Sequence, residues 1–182
     1  MNTVEHKVDF CVIGGGMAGI CAALSAARHG AKVILMNDRH VLGGNSSREC
    51  RVHICGADRQ NGFPHLRETG ILEELRLENI RQNPHEKYPL WDMVLYQKVF
   101  SEPNCDLLLN CYCFDAETED GHIKSVTGIQ NTSETYHKIE ADIFADCSGD
   151  SLLAELTEAE YRYGREASSE YGESIAPEKA DE

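Results

Sequence analysis

Positive charge is scarce in this sequence: 17 lysines and arginines stand against 31 aspartates and glutamates in 182 residues, a formal charge of −14. A surface of that sign repels phosphodiester backbones and anionic lipid headgroups, which argues against nucleic acid and against a membrane as partners. A small-molecule substrate is expected instead. No pair among the eight cysteines has the CxxC spacing, and the eight histidines are scattered without metal-ligand spacing. That pattern supports neither a metal centre nor a redox disulfide. Several cysteines fall within apolar runs such as FCVI and ADIFADC, where reduced, packed thiols of a cytoplasmic protein are expected. Packing is the reading for Cys50 and Cys55 as well, and for Cys111 with Cys113, which would share one strand face. Internal repeats and low-complexity tracts are also missing. The uncharged run at 10–27 is broken by three consecutive glycines and preceded by Glu5 and Asp9 against Lys7 alone, so it is read as neither an export signal nor a membrane span.

What is present is the pattern of one domain with a real core. Residues 7–13, KVDFCVI, form a short apolar run ending in glycine, as a buried strand does. Residues 17–29 are alanine-rich, free of proline and stopped by Gly30, which predicts a helix; AKVILM at 31–36 follows as a second strand. Strand, helix and strand make a βαβ unit of about 30 residues, whose crossover requires parallel strands. Two helices are predicted from LRETGILEELRLENI and PLWDMVLYQKVF, separated by Pro84 and Pro89, with Leu72, Leu75, Leu77 and Trp91, Val94, Leu95 as their core residues. DLLLN at 106–110 is read as a third core strand. CYCFDAETE, HIKSVTGIQ and TYHKIEA alternate like antiparallel strands, with Asp120-Gly121 turning the first pair. ADIFADC at 141–147 is read as a further buried strand, and from Tyr161 the chain turns polar and acid-rich.

Gly14, Gly16 and Gly19 spell GxGxxG between a predicted strand and a predicted helix, the context in which that motif binds a dinucleotide. The first glycine permits the tight turn, the second lets a pyrophosphate approach the backbone, and the third lets helix and strand pack closely. The helix start adds free N–H groups and a positive dipole end, and Gly15 and Ala18 belong to the same cradle. The acidic residue expected about 20 positions on, to hold the ribose hydroxyls, is replaced by Asn37, with Asp38 one place later and Arg39 beside it. Asn37 can donate to and accept from a ribose hydroxyl, and Asp38 can turn toward it if the strand ends early; both remain candidates.

Ala23 and Gly30 extend the spacing to GxGxxG-x3-A-x6-G, which resembles FAD-binding domains of the glutathione reductase type. A second glycine pair follows in LGGNSS. This segment resembles the loop that, in flavoproteins related to fumarate reductase, passes under the pyrophosphate and reaches toward the flavin. The resemblance implies close backbone approach at Gly43 and Gly44 and hydrogen bonds from Asn45 and Ser46 to the ribityl chain or ring. A nicotinamide dinucleotide needs no such loop, so an NAD-binding Rossmann domain is disfavoured. Together with NDRHVLGGNSSRECRVHICGA, the segments RETGILEELRLENIRQNP, WDMVLYQ, DCSGDSLLAE and AEYRYGREASSEYGE are similar to the amino-terminal part of the FAD-dependent oxidoreductase family.

Several expectations follow from that resemblance. The fold is α/β: a Rossmann-like FAD/NAD(P)-binding domain over 1–160, with a parallel sheet, a helical insertion over 62–100 and an antiparallel β-meander over 111–140. Residues 161–182 would open a next, truncated domain, since family members run well beyond this point and complete their substrate site there. The cofactor would be FAD, accepting a hydride from an organic substrate, with backbone near Cys113 against the adenine and Gly149 beside the cofactor. The alternative is a flavin-binding module without turnover. For chemistry, Arg51 and His53 follow the glycine loop and would point the same way on a strand, one as a cation beside reduced flavin and the other as a proton carrier. The commoner role for such side chains is ordinary salt bridging on a loop.

Overall fold

The computed structural model describes residues 2–56 and 65–181. The first strand, β1 (Asn2–Ile13), is open to solvent at its start and buried from Cys11 to Ile13, where it runs into the glycines. Helix α1 (Met17–Arg28) begins immediately after them and buries Gly19, Ile20, Ala23, Leu24 and Ala27, one stripe at helical spacing. It stops where Gly30 takes the left-handed conformation at φ 94° and its N–H bonds to the Ala27 carbonyl. The second strand, β2 (Val33–Met36), is buried throughout.

A 3-10 turn at Gly44–Ser46 precedes the helical pair α2 (Gly70–Gln82) and α3 (Tyr88–Phe100), the latter starting with Pro89 in its first turn. The strands β3 (Cys105–Leu108), β4 (Cys111–Glu119), β5 (His122–Gln130) and β6 (Thr135–Asp146) follow, then the short helices α4 (Leu152–Leu156) and α5 (Ser168–Tyr171). The six strands among the described residues belong to one sheet in the order β3-β2-β1-β6-β5-β4. Strand β1 is parallel to β2 and β6, and β2 to β3, whereas β4–β5–β6 form an antiparallel meander.

The sheet separates two cores. On one face Val12, Val33 and Leu35 pack against Ile20 and Leu24 of α1, Leu75 of α2 and Val94, Leu95 and Val99 of α3. On the other, Cys11, Ile34 and Met36 meet Cys111, Cys113, Val126, Ile139 and Leu153. Truncating a residue such as Leu24, fully buried, to alanine costs about 2–5 kcal/mol through lost transfer energy and the cavity left behind.

Several sequence expectations need correction. The segments TYHKIEA and ADIFADC are one strand, because IEADIF holds no glycine or proline to turn the chain and β1 offers a parallel partner along the whole length. Its second half is less buried than the apolar run suggests: Ile143, the register partner of Phe10, is 63 % exposed, since α1 packs over β1, β2 and β3 rather than β6. Leu77 is not core; two positions after the buried Leu75 it lies on the opposite side of α2 and is exposed. Cys50 and Cys55 are exposed loop thiols, whereas Cys111 and Cys113 do share a buried face of β4. The first positions of the expected helical insertion, 62–64, lie outside the described residues.

Candidate functional site

The carboxyl ends of β1, β2 and β6 open onto a cleft of about 750 Å³. At its floor the three glycines divide their work as their surroundings dictate. A Cβ on Gly14, which has φ 106°, would lie 2.2 Å from the Cys147 carbonyl oxygen, so only glycine lets β1 turn beneath the chain leaving β6. A Cβ on Gly19 would lie 1.9 Å from the Gly14 carbonyl oxygen, which fixes how closely α1 sits on the turn. At Gly16 the same atom would meet nothing within 4 Å: its free side faces open space, at the amino end of α1 where unpaired N–H groups point outward.

The second glycine loop is laced to the first. Gly43 N–H donates to the Gly15 carbonyl at 2.8 Å, Gly16 and Gly43 form a parallel bridge, and a Cβ on Gly44 would sit 3.2 Å from Gly16 Cα. Helix α3 holds this loop from behind. Trp91 Nε1 donates to Ser46 Oγ at 3.2 Å, and Ser46 Oγ donates onward to the Gly43 carbonyl at 2.9 Å. Buried Asp92 accepts from Arg48 N–H at 3.0 Å and faces the Arg48 guanidinium at 3.4 Å; burial raises its carboxyl above the usual range, a shift those two Arg48 contacts oppose.

Of the residues expected from sequence, Gly14, Gly15, Gly16, Ala18, Asn37, Asp38, Arg39, Gly43, Gly44, Asn45, Ser46, Cys113, Gly149 and His53 all line the cleft. Gly19 lies behind it as a packing residue. Their side chains are not equally free. The Ser46 hydroxyl is engaged with Gly43 and Trp91 inside the protein, while Asn45 is exposed on the cleft wall. Arg39 pairs with Glu49 at 3.0 Å. Cys113 presents a neutral thiol, its pKa pushed up to about 11 by burial, so β4 contributes backbone and volume rather than a nucleophile. Gly149, at φ 87° with open space where its Cβ would be, lies in the turn after β6. Asp146 braces that turn, accepting from Ser148 N–H, the Ser148 hydroxyl and Leu153 N–H.

The strand expected to carry Arg51 and His53 side by side is not formed. Arg51 sits at φ 59°, its N–H bonds to the Ser47 carbonyl and its Nε to the Arg48 carbonyl, and the hydroxyl of Tyr88 donates to the Arg51 carbonyl at 2.7 Å. That positive φ breaks the period of two, so His53 reaches the cleft wall and Arg51 does not. His53 Nε2 lies 3.3 Å from Cys55 Sγ. Sequence reasoning missed Trp91, Asp92 and Asp146: the first two act on a loop far away in sequence, the third on the turn just after its own strand, and a helical or strand period carries no sign of either.

A mixed sheet whose parallel strands carry a glycine turn feeding a helix amino terminus, with a second glycine loop tied beneath it, defines a dinucleotide-binding α/β protein. The chain matches the FAD dependent oxidoreductase family over residues 9–180 and belongs to it. It is 35 % identical over 95 residues to the probable oxidoreductase OrdL of Haemophilus influenzae, covering 52 % of this chain and 19 % of that protein. It is 54 % identical over 42 residues to the cytochrome-type fumarate reductase of Shewanella frigidimarina, covering 23 % of this chain and 7 % of that one. The chain therefore spans less than a fifth of the length of either relative. Among solved structures, the flavin-dependent monooxygenase PieE in complex with FAD and substrate superposes with a TM-score of 0.58 at 15 % identity, over 84 % of this chain and 32 % of that one, a likeness of fold. No described helix is long and apolar enough to cross a membrane.

Proposed function

We infer that this chain forms the cofactor-holding part of a cytoplasmic FAD-dependent oxidoreductase acting on a small organic molecule. The observation that carries this reading is the pair of interlocked glycine loops, joined by the bond from Gly43 N–H to the Gly15 carbonyl, with the open side of Gly16 facing the cleft. A dinucleotide of FAD's length fits that arrangement: the amino end of α1, beside Gly16, offers N–H groups to a pyrophosphate, and the second loop leads outward past Asn45. When bound, the flavin supplies hydride-accepting chemistry. The chain's own residues hold and orient it. Asn45 offers its amide to the ribityl chain, backbone near Cys113 and Gly149 closes the far wall, and His53 can hold or pass a proton at the mouth. The free cysteines suit a reducing compartment.

A second reading, a module that holds flavin without turnover, is favoured by the position of Arg51, whose guanidinium is bonded to the Arg48 carbonyl and which does not line the cleft. The visible absorption spectrum of the purified chain, with the released cofactor identified after denaturation, tests the shared part of both readings. Bound FAD supports it. A colourless chain that takes up no added FAD overturns it, and bleaching of bound flavin by an organic reductant separates the enzyme from the module.

A further inference from the structure

The residue at the end of β2 is a neutral amide, and the structure commits it elsewhere. Asn37 is only 6 % exposed. Its Oδ1 accepts from Gly15 N–H at 2.9 Å, inside the glycine turn. Its Nδ2 donates to the Arg39 carbonyl at 3.1 Å and to the Val41 carbonyl at 2.9 Å, in the segment leading to the second glycine loop. Its backbone is used too: Asn37 N–H donates to the Leu108 carbonyl of β3, and its carbonyl accepts from Cys111 N–H of β4. A primary amide has two N–H hydrogens. Both are spent on backbone carbonyls, so Asn37 has no donor left for a ribose oxygen.

The same three bonds explain why the residue is not an acid. A carboxylate in this place could accept from Gly15 N–H with one oxygen, but its other oxygen would be set against the Arg39 and Val41 carbonyls, with no proton to offer either. An amide alone carries the acceptor and the two donors that these backbone groups require. Asp38, the next residue, is exposed on the cleft wall, and its carboxylate makes no hydrogen bond among the described residues. It accepts only, which suits two hydroxyl donors.

We propose that the two tasks usually joined in one acid are divided here: Asn37 is a positioning residue that ties the two glycine loops together, and Asp38 reads the ribose hydroxyls of an adenosine diphosphate moiety. The proposal rests on the inference that the cleft holds FAD, whose adenosine end carries that ribose.

Calorimetric titration of the whole chain with ADP and with 2′,3′-dideoxy-ADP, each competed against FAD, tests it. Replacing Asp38 with asparagine, at an exposed position, should weaken ADP roughly tenfold, the range of a charge-assisted hydrogen bond, and leave dideoxy-ADP unchanged. Asn37→Ala and Asn37→Asp should weaken both nucleotides by the same factor, because Asn37 acts through the loops and not on the sugar. Equal loss of both nucleotides in Asp38→Asn, or unchanged ADP affinity, overturns the assignment of Asp38. Selective loss of ADP in an Asn37 variant overturns the division of roles. A wild-type chain that binds FAD but shows no preference for ADP over its dideoxy form defeats the proposal while leaving the cofactor reading intact. A chain that binds neither FAD nor ADP defeats both.

Discussion

A methyl group added at Gly14 and a larger group added at Gly16 have opposite consequences. Gly14→Ala puts an atom against the Cys147 carbonyl and a side chain at φ 106°, where backbone strain alone costs about 1–3 kcal/mol. The apo protein should melt several degrees lower, or fail to fold, in a thermal scan. Gly16→Val meets no protein atom near the backbone. Its melting temperature should stay close to wild type while FAD uptake, followed by quenching of flavin fluorescence, disappears. Full flavin occupancy in Gly16→Val would show the pyrophosphate to lie elsewhere. At this scale the sequence was most informative where the constraint is local: three glycines at fixed offsets define their own turn. It offered Asn37 to a ribose hydroxyl and was silent on its bonds to Gly15, Arg39 and Val41, which exist only once the two loops have come together. It misled at Arg51, because a single positive φ turns an expected alternation into a kink.

Between elements, the ion pairs and hydrogen bonds show which contacts respond to pH. Glu74 of α2 accepts from Arg28 of α1 and from Lys98 of α3, and these bonds hold its carboxyl at about 2. A carboxyl depressed in the folded state contributes stability above its ordinary value of 4.5 that is lost as pH falls toward 2. The urea midpoint should therefore decline over that window, shallowly because the pair is partly solvated, and Glu74→Gln should flatten the decline. A second window lies higher. His6 of β1 and His137 of β6 share a hydrogen bond of 2.9 Å, and burial lowers both pKa values below 6.5, with Asp106 opposing the shift at His6 and the His6 charge reinforcing it at His137. Groups held neutral by the fold favour it above pH 6.5 and cease to do so as pH falls through their folded values. The midpoint should hold between about pH 8 and 7 and fall below 6.5, a decline that His6→Gln should reduce, leaving the part that the burial of His137 causes. The elements themselves were legible where period and punctuation agree, as in α1 with its alanines and Gly30 or the hairpin at Asp120-Gly121. The union of two predicted strands into β6 was not, because continuity there comes from pairing with β1, over a hundred residues away.

For the molecule as a whole, the accessible thiols give a direct check on the arrangement of the cores. Cys50 and Cys55 are exposed, whereas Cys11, Cys105, Cys111 and Cys113 are buried, with burial raising every one of those four pKa values. Brief alkylation of the native chain should label the first two well before the buried four, as read by mass spectrometry of peptides; rapid labelling of Cys111 or Cys113 would contradict the packing of β4. Because a ligand bound only by the folded state stabilises it by mass action, FAD at about a hundredfold its dissociation constant should add about 2.7 kcal/mol. The α/β class was legible from a local motif in its proper context, and the family from segments spread along most of the chain. The strand order and the support that α3 gives the second glycine loop were not, being matters of distant contact.

That support has an optical consequence. Trp91 is the chain's single tryptophan, and its indole is bonded to Ser46, directly behind the loop that borders the cleft. Indole emission overlaps the near-ultraviolet absorption of an isoalloxazine ring, so light absorbed at Trp91 would pass to a flavin seated in front of it and no longer be emitted. The fold thus places its one intrinsic donor fluorophore beside the proposed acceptor, and the fading of tryptophan emission as FAD is added would count filled sites without any label.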